Sequence, residues 1–289
     1  MTTRTEVLMD TLVTIRVLDS AADQAVERAF GWFYQVEERC TRFDERSELM
    51  QLTTRAGVPV EVSAILFEAV RFSVSLAEET GGAFDPTIGL RMEELGFNRN
   101  YQTGEQIRTA ITDAAAVSYR DVQVDSARRT VTLRQPMVLD LGAVAKGLAV
   151  DLAARELQPF KNFCIDAGGD LYVGGLNPEG KPWSVGIRHP RIEHTFIDTF
   201  RASDQAICTS GDYARRHHIL DPRTCEPAGT VATATVIASN AMLADGLATA
   251  AFVLGPIDGL AVLNRLGVEG LIVTPNLERY ETRGLRRAA

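Results

Sequence analysis

The chain of 289 residues contains no run of 18 consecutive apolar residues, so nothing in it reads as a membrane-crossing helix. Its first residues are polar, Thr2-Thr3-Arg4-Thr5, with no apolar core of a signal peptide and no lipoprotein-type cysteine. The expectation is a cytoplasmic protein, or an extracytoplasmic one if the N-terminus has been trimmed. Four cysteines, Cys40, Cys164, Cys208 and Cys225, are scattered without a C-x-x-C pair. That excludes the usual zinc and disulfide frameworks and fits a reducing compartment. No basic run with interleaved aromatics occurs, and a net charge of -8 argues against a nucleic-acid surface. Only Arg283-Gly284-Leu285-Arg286-Arg287 is locally basic, and it reads as a frayed tail. A Walker A loop is also missing. Its nearest match, Gly175 to Pro182, has Pro182 where the magnesium-binding hydroxyl should stand and Pro178 inside the loop, so it reads as a turn. With no repeat, low-complexity tract or linker, the expectation is one domain over 1–289, or two intimately packed subdomains that are not independent.

What is present is an ordinary globular composition, 45% apolar and 24% charged. Residues 7–17 alternate as a half-buried strand, and 22–40 carry apolar residues at helical spacing. A second helix starts at the N-cap Ser63 and stops at Gly81-Gly82. Beyond about residue 115 short strands dominate, at 117–124, 130–133, 163–165, 183–187, 196–200, 206–208 and 232–237, with helices over 142–157 and 240–254. Strands following strands with helices grouped predict an α+β fold.

Three places carry chemistry. In Leu139-Asp140-Leu141-Gly142-Ala143-Val144-Ala145-Lys146-Gly147 a short apolar strand over 138–141 is expected to feed a helix. Unpaired N–H groups at such a start favour an anion, and Lys146 adds a full charge one turn in; the alternative is a plain buried junction with a solvated lysine. In the apolar helix around residue 245, Asp245 and Thr249 are four apart and share a face. They are hard oxygen ligands suited to Mg²⁺, unless backbone amides alone satisfy the carboxylate. The third place joins Thr209-Ser210-Gly211-Asp212-Tyr213 to His217-His218-Ile219-Leu220-Asp221-Pro222-Arg223-Thr224, where His218 is a general-base candidate. Taken singly, Phe84-Asp85-Pro86-Thr87 and Asp166-Ala167-Gly168-Gly169-Asp170 read as turns.

Together and in order, these segments resemble the FAD:protein FMN transferases, the ApbE-like flavin transferases. The resemblance runs from Met9-Asp10-Thr11 through Arg42-Phe43, Ser47-Glu48-Leu49, Phe84 to Gly89 with Leu95-Gly96-Phe97, Leu139 to Gly147 with Asp151, Gly168-Gly169-Asp170 and the Thr209 and His218 segments, to Ala244-Asp245-Gly246-Leu247-Ala248-Thr249. It implies a T-fold-like α+β architecture of antiparallel sheets packed with helices, with an FAD pocket between the sheet region and the helical region. It also implies Mg²⁺-dependent transfer of FMN from FAD to a Thr or Ser hydroxyl of an acceptor protein, with release of AMP. By the same resemblance Asp245, Thr249 and the Ala143 carbonyl are the magnesium ligands and His218 is the catalytic histidine. Met9, Asp85, Thr87, Asp140, Lys146 and the Ile219 backbone are flavin and phosphate contacts. The alternatives are an FAD pyrophosphatase that uses water in place of the acceptor, and a non-catalytic FAD-binding protein. Two positions depart from the family pattern, Asp10 and Cys225, each where glycine is usual.

Overall fold

The computed structural model describes residues 1–111, 116–212 and 218–285. The chain divides into two compact units, one made of 1–34, 146–220 and 227–289, the other of 35–145 and 221–226.

The first unit is built on an antiparallel sheet of eight strands. In spatial order they are Thr2–Leu8, Thr11–Val17, Phe163–Ala167, Asp170–Gly174, Gln205–Gly211, Thr233–Ala238, Glu269–Val273 and Arg279–Glu281. The single strand expected over 7–17 is instead the closing part of a hairpin, with Val7 paired to Leu12 and Leu8 to Thr11. Met9 and Asp10 both have positive φ, 51° and 60°. Two successive left-handed residues make the tight turn whose twist suits a hairpin, and alternation alone does not reveal it.

Period-two alternation decides what each face of this sheet meets. Ile207, Ile237, Leu271 and Val273 pack with Trp183, Val185 and Phe200 of a separate two-stranded ribbon, Trp183–Arg188 with Phe196–Ala202. Cys208 and Ser210, one residue out of phase, point to the helix Ala241–Arg265, bonding the Ala241 carbonyl and the Thr249 hydroxyl respectively. That helix starts as expected at Asn240, whose side chain accepts from the Leu243 N–H at 2.9 Å. It is interrupted at Gly255, φ 81°, just beyond the expected end at 254, and 256–265 continue as a further helical stretch. By length and composition it could cross a membrane. Here its apolar residues are spent on the strands 205–211, 233–238 and 269–273, against which it packs.

In the second unit the helix Ala64–Glu79 begins at Ser63, whose hydroxyl accepts from the Leu66 N–H. With the helices Glu48–Thr53 and Gly89–Glu94 it accompanies a small sheet in the order Val60–Glu61, Thr130–Leu133, Val122–Asp125. The strand expected over 117–124 opens as a 3₁₀ turn, Tyr119–Asp121, so only Val122–Asp125 pairs. Residues 138–141 are no strand either. Their backbone bonds go sideways, Gly89 N–H to the Val138 carbonyl and Asp140 N–H to the Pro86 carbonyl at 2.7 Å, which satisfies the buried segment without a ladder. The helix that follows, Gly142–Leu157, has the predicted bounds.

Candidate functional site

In the first unit, Lys146 and Asp245 come together. The ammonium is 3.2 Å from Asp245 Oδ2 and is also paired, more tightly, with Asp170. Both carboxylates are only 4% exposed. Two features of the chain bring the three groups together. Gly147, next to Lys146, allows its helix to lie directly against the start of the helix Ala241–Arg265, and Asp170 is delivered by the tight turn at Gly168-Gly169. A side chain at Gly168 would collide with Thr11, so the turn carrying Asp170 is also packed against the hairpin that carries Met9.

The electrostatics of this cluster are unbalanced. Burial alone would depress the lysine, but the negative charges of Asp170 and Asp245 overcome it and hold the ammonium above the usual lysine range. Burial, then the charge of Asp170, pushes Asp245 up to about 7 against the opposing pull of Lys146. Among the described residues two carboxylates share one ammonium, which leaves one negative charge without an ionic partner in a desolvated place, a situation that favours a further cation. One turn along, Thr249 Oγ1 is 3.0 Å from Ser210 Oγ, which adds two hydroxyl oxygens on the face that carries Asp245.

His218 and Ile219 line an open cleft of about 1260 Å³ in the same unit. Asp212 and the tip of the ribbon, His189 to Phe196, line it with them. Tyr213 and His217 lie outside the described residues.

The remaining predicted residues belong to the second unit. Asp85 caps the 3₁₀ turn Pro86–Ile88: its Oδ1 accepts from the Thr87 N–H and hydroxyl at 2.9 and 2.8 Å, and its Oδ2 from the Tyr119 N–H at 3.0 Å. Asp140 is held at both oxygens, by Arg42 Nε at 2.7 Å and by the Gly142 N–H at 2.8 Å. Ala143 stands half-buried in the first turn of that helix. Arg42 is 4% exposed and stacks over Phe43, yet its Nη1 is buried with no hydrogen-bond partner among the described residues.

Sequence reasoning singled out Lys146, Asp245 and Thr249 as chemistry but left Asp170, Ser210 and Arg42 inside motifs without a task. Asp170 had a signal, a lone carboxylate opening the apolar strand Asp170–Gly174. Ser210 and Arg42 had none, because only strand phase and long-range contact give them their partners. Asp151 was noted only as part of a motif. Its carboxylate accepts from the N–H groups of Ala241 and Met242 at 2.6 and 3.0 Å, which fixes the start of the helix that carries Asp245.

The chain is similar to known proteins over nearly its whole length. The ApbE family pattern matches residues 9–272. A Treponema pallidum protein named FAD:protein FMN transferase is 32% identical over 94% of this chain and 84% of its own. One of the same name from Vibrio cholerae serotype O1 is 30% identical over 79% of this chain and 72% of its own. Among solved structures, an ApbE protein from Thermotoga maritima superposes with a TM-score of 0.86 at 28% identity, covering 99% of both chains.

Proposed function

The chain belongs to the ApbE family, and from that premise we propose that it is an FAD:protein FMN transferase, which moves the FMN half of FAD to a Thr or Ser hydroxyl of an acceptor protein and releases AMP. The observation that supports this reading most is the buried Lys146–Asp170–Asp245 cluster, in which two carboxylates meet one ammonium among the described residues. A site that must gather a metal ion and a pyrophosphate needs this combination of carboxylate and fixed positive charge.

The residues suit Mg²⁺. Asp245 and Thr249 are oxygen donors on one helix face, Ser210 and Asp170 add further oxygens, and an all-oxygen set is what this hard cation takes. In this reading Asp245, Thr249 and the Ala143 carbonyl hold the ion. When bound, it offsets negative charge on the pyrophosphate oxygens and on the departing phosphate.

The chain's own groups do the rest. Lys146, kept charged by Asp170, supplies a fixed positive charge to the phosphate region. His218 takes the proton from the acceptor hydroxyl as the acceptor oxygen attacks the FMN-side phosphorus. The new O–P bond forms as the P–O bond to the AMP phosphate breaks, and AMP leaves with that electron pair. In this reading Met9, Asp85, Thr87, Asp140 and the Ile219 backbone contact the flavin nucleotide.

The test is incubation with FAD, Mg²⁺ and several purified acceptor domains, followed by mass spectrometry. An FMN-sized mass gain on an acceptor Thr or Ser, matched by AMP and abolished by EDTA, is the expected result. FMN set free at a rate rivalling transfer would replace the reading with FAD hydrolysis. Tight FAD binding without turnover would leave only a binding protein.

A further inference from the structure

We propose that the tip of the ribbon, His189 to Phe196, is the surface that docks the acceptor protein, through Ile192 and Phe196. The inference rests on the transferase reading given above, and its basis is what surrounds His218.

A hydroxyl borne on a protein chain reaches His218 only if the residues flanking it lie on the walls of the same cleft. Among the described residues of the first unit, the ribbon tip supplies much of those walls. The tip is built to keep one shape. His189 Nδ1 accepts from the N–H groups of Arg191 and Ile192, both at 3.1 Å, and the Thr195 hydroxyl donates to the Ile192 carbonyl at 2.9 Å. The His189 N–H closes the loop on the Thr195 carbonyl. Arg191 clamps it to the neighbouring strand end by two bonds to Asp212, at 2.7 and 2.9 Å. Lower down, Asp198 of the ribbon pairs with Arg279 of the large sheet, and Trp183, Val185 and Phe200 are buried in the core.

The ring of Phe196 lies over Gly186 of the paired strand, yet Phe196 remains 65% exposed, and Ile192 is 55% exposed. Single exposed apolar residues are commonplace. Two on one preorganised tip, both lining the cleft that holds the base candidate, form an anchor that costs little ordering entropy on binding. Arg191 of the tip is already paired with Asp212, and Glu193, beside Ile192, is exposed. The tip therefore offers Ile192 and Phe196 as apolar contacts beside the exposed Glu193, and the partner it fits is an acceptor segment with apolar side chains beside its Thr or Ser.

The experiment uses the full chain and an acceptor domain that the wild-type protein flavinylates, with Ile192→Asp, Phe196→Asp and the double variant. FAD affinity is read by quenching of flavin fluorescence, and transfer by mass spectrometry over a range of acceptor concentrations. The expected result is a rise of 10-fold or more in KM for the acceptor in the double variant (~10-fold is about 1.4 kcal/mol), with FAD affinity within about twofold of wild type (under ~0.5 kcal/mol by the same relation). Ile192→Leu and Phe196→Tyr should keep a near-normal KM. An unchanged acceptor KM in the double variant overturns the proposal. So does a parallel loss of FAD affinity, which would assign the tip to the flavin nucleotide, or a wild-type dimer that the variants dissolve, which would assign it to a second copy. Absence of transfer by the wild-type protein to every acceptor tried overturns the transferase reading itself, a result separable from the others.

Discussion

Gly147 lies so close to Met242 that a Cβ on the glycine would stand 2.5 Å from the Met242 Cα, and 2.6 Å from the Ala241 carbonyl oxygen. Both obstacles are backbone and cannot swing aside. The contact sets the distance between two helices whose adjacent residues, Lys146 and Asp245, form an ion pair. Gly147→Ala therefore has to push the helices apart. The expected cost is about 1–3 kcal/mol, the usual range for overpacking, read as a lower denaturant midpoint. FAD binding should weaken with it, because the lysine and the carboxylate move apart together.

Asp151 holds the same junction from one turn further on. Removing it in Asp151→Ala uncaps two N–H groups at a helix start, which should cost about 1–2 kcal/mol. Its titration adds a pH signature. Burial pushes this carboxyl up to about 6, in spite of the hydrogen bonds from Ala241 and Met242. The folded protein therefore binds a proton that the unfolded chain has already lost between about pH 4 and pH 6. Stability contributed by this group is full below that window and declines as the pH rises through it. Urea titrations should show wild type losing ground to Asp151→Asn across the window, and parallel curves would refute the assignment.

The elements legible in the sequence were those with strong periodicity and a cap. Ser63 and Asn240 mark true helix starts, and the helix Gly142–Leu157 has its predicted bounds. Residues 138–141 misled because an apolar run without a partner strand is indistinguishable from one with a partner. Residues 7–17 misled because the turn in them uses Met9 and Asp10 rather than the Asn-Gly that usually announces a hairpin. For the candidate site, Lys146 and Asp245 could be named in advance since charges in apolar helices stand out. Asp170, Ser210 and the Nη1 of Arg42 depend on which strands neighbour and which side chains stay unpaired, and no local pattern encodes that.

Asp10 and Cys225, the two positions where the family resemblance leads one to expect glycine, both fall where the backbone is left-handed. Asp10 has φ 60° and Cys225 has φ 59°. Aspartate tolerates that region comparatively well and cysteine does not. Cys225→Gly should thus raise stability by up to about 1 kcal/mol, and Asp10→Gly should stay within about 0.5 kcal/mol of wild type. Denaturant midpoints of the two variants decide it; a destabilised Cys225→Gly would show that the thiol makes a contact worth more than the strain.

His218 is expected to act on the proton and not on nucleotide affinity. In His218→Ala the transfer rate should fall by about 10²–10⁴-fold, the usual span for a lost general base. FAD binding should change little, and added imidazole should restore part of the rate. A variant that transfers normally would remove the histidine from the mechanism.

Asp245→Asn separates folding from chemistry. Breaking a buried ion pair is ordinarily costly because the surviving charge is stranded. Here Lys146 keeps Asp170, so the substitution removes the excess negative charge and strands nothing. Burial and the charge of Asp170 raise Asp245 above the usual carboxylate range, which has the same meaning: its charged form is the one the surroundings disfavour. Thermal and denaturant stability of Asp245→Asn should therefore match or exceed wild type. Transfer should instead fall by at least ~100-fold, since the proposed metal site loses its charged ligand and Lewis-acid stabilisation is worth several kcal/mol. Thr249→Val, which removes a neutral ligand and the bond to Ser210, should fall less and regain rate at high Mg²⁺. An Asp245→Asn protein that unfolds would show the carboxylate to be structural, and one that transfers at the wild-type rate would exclude it from metal binding.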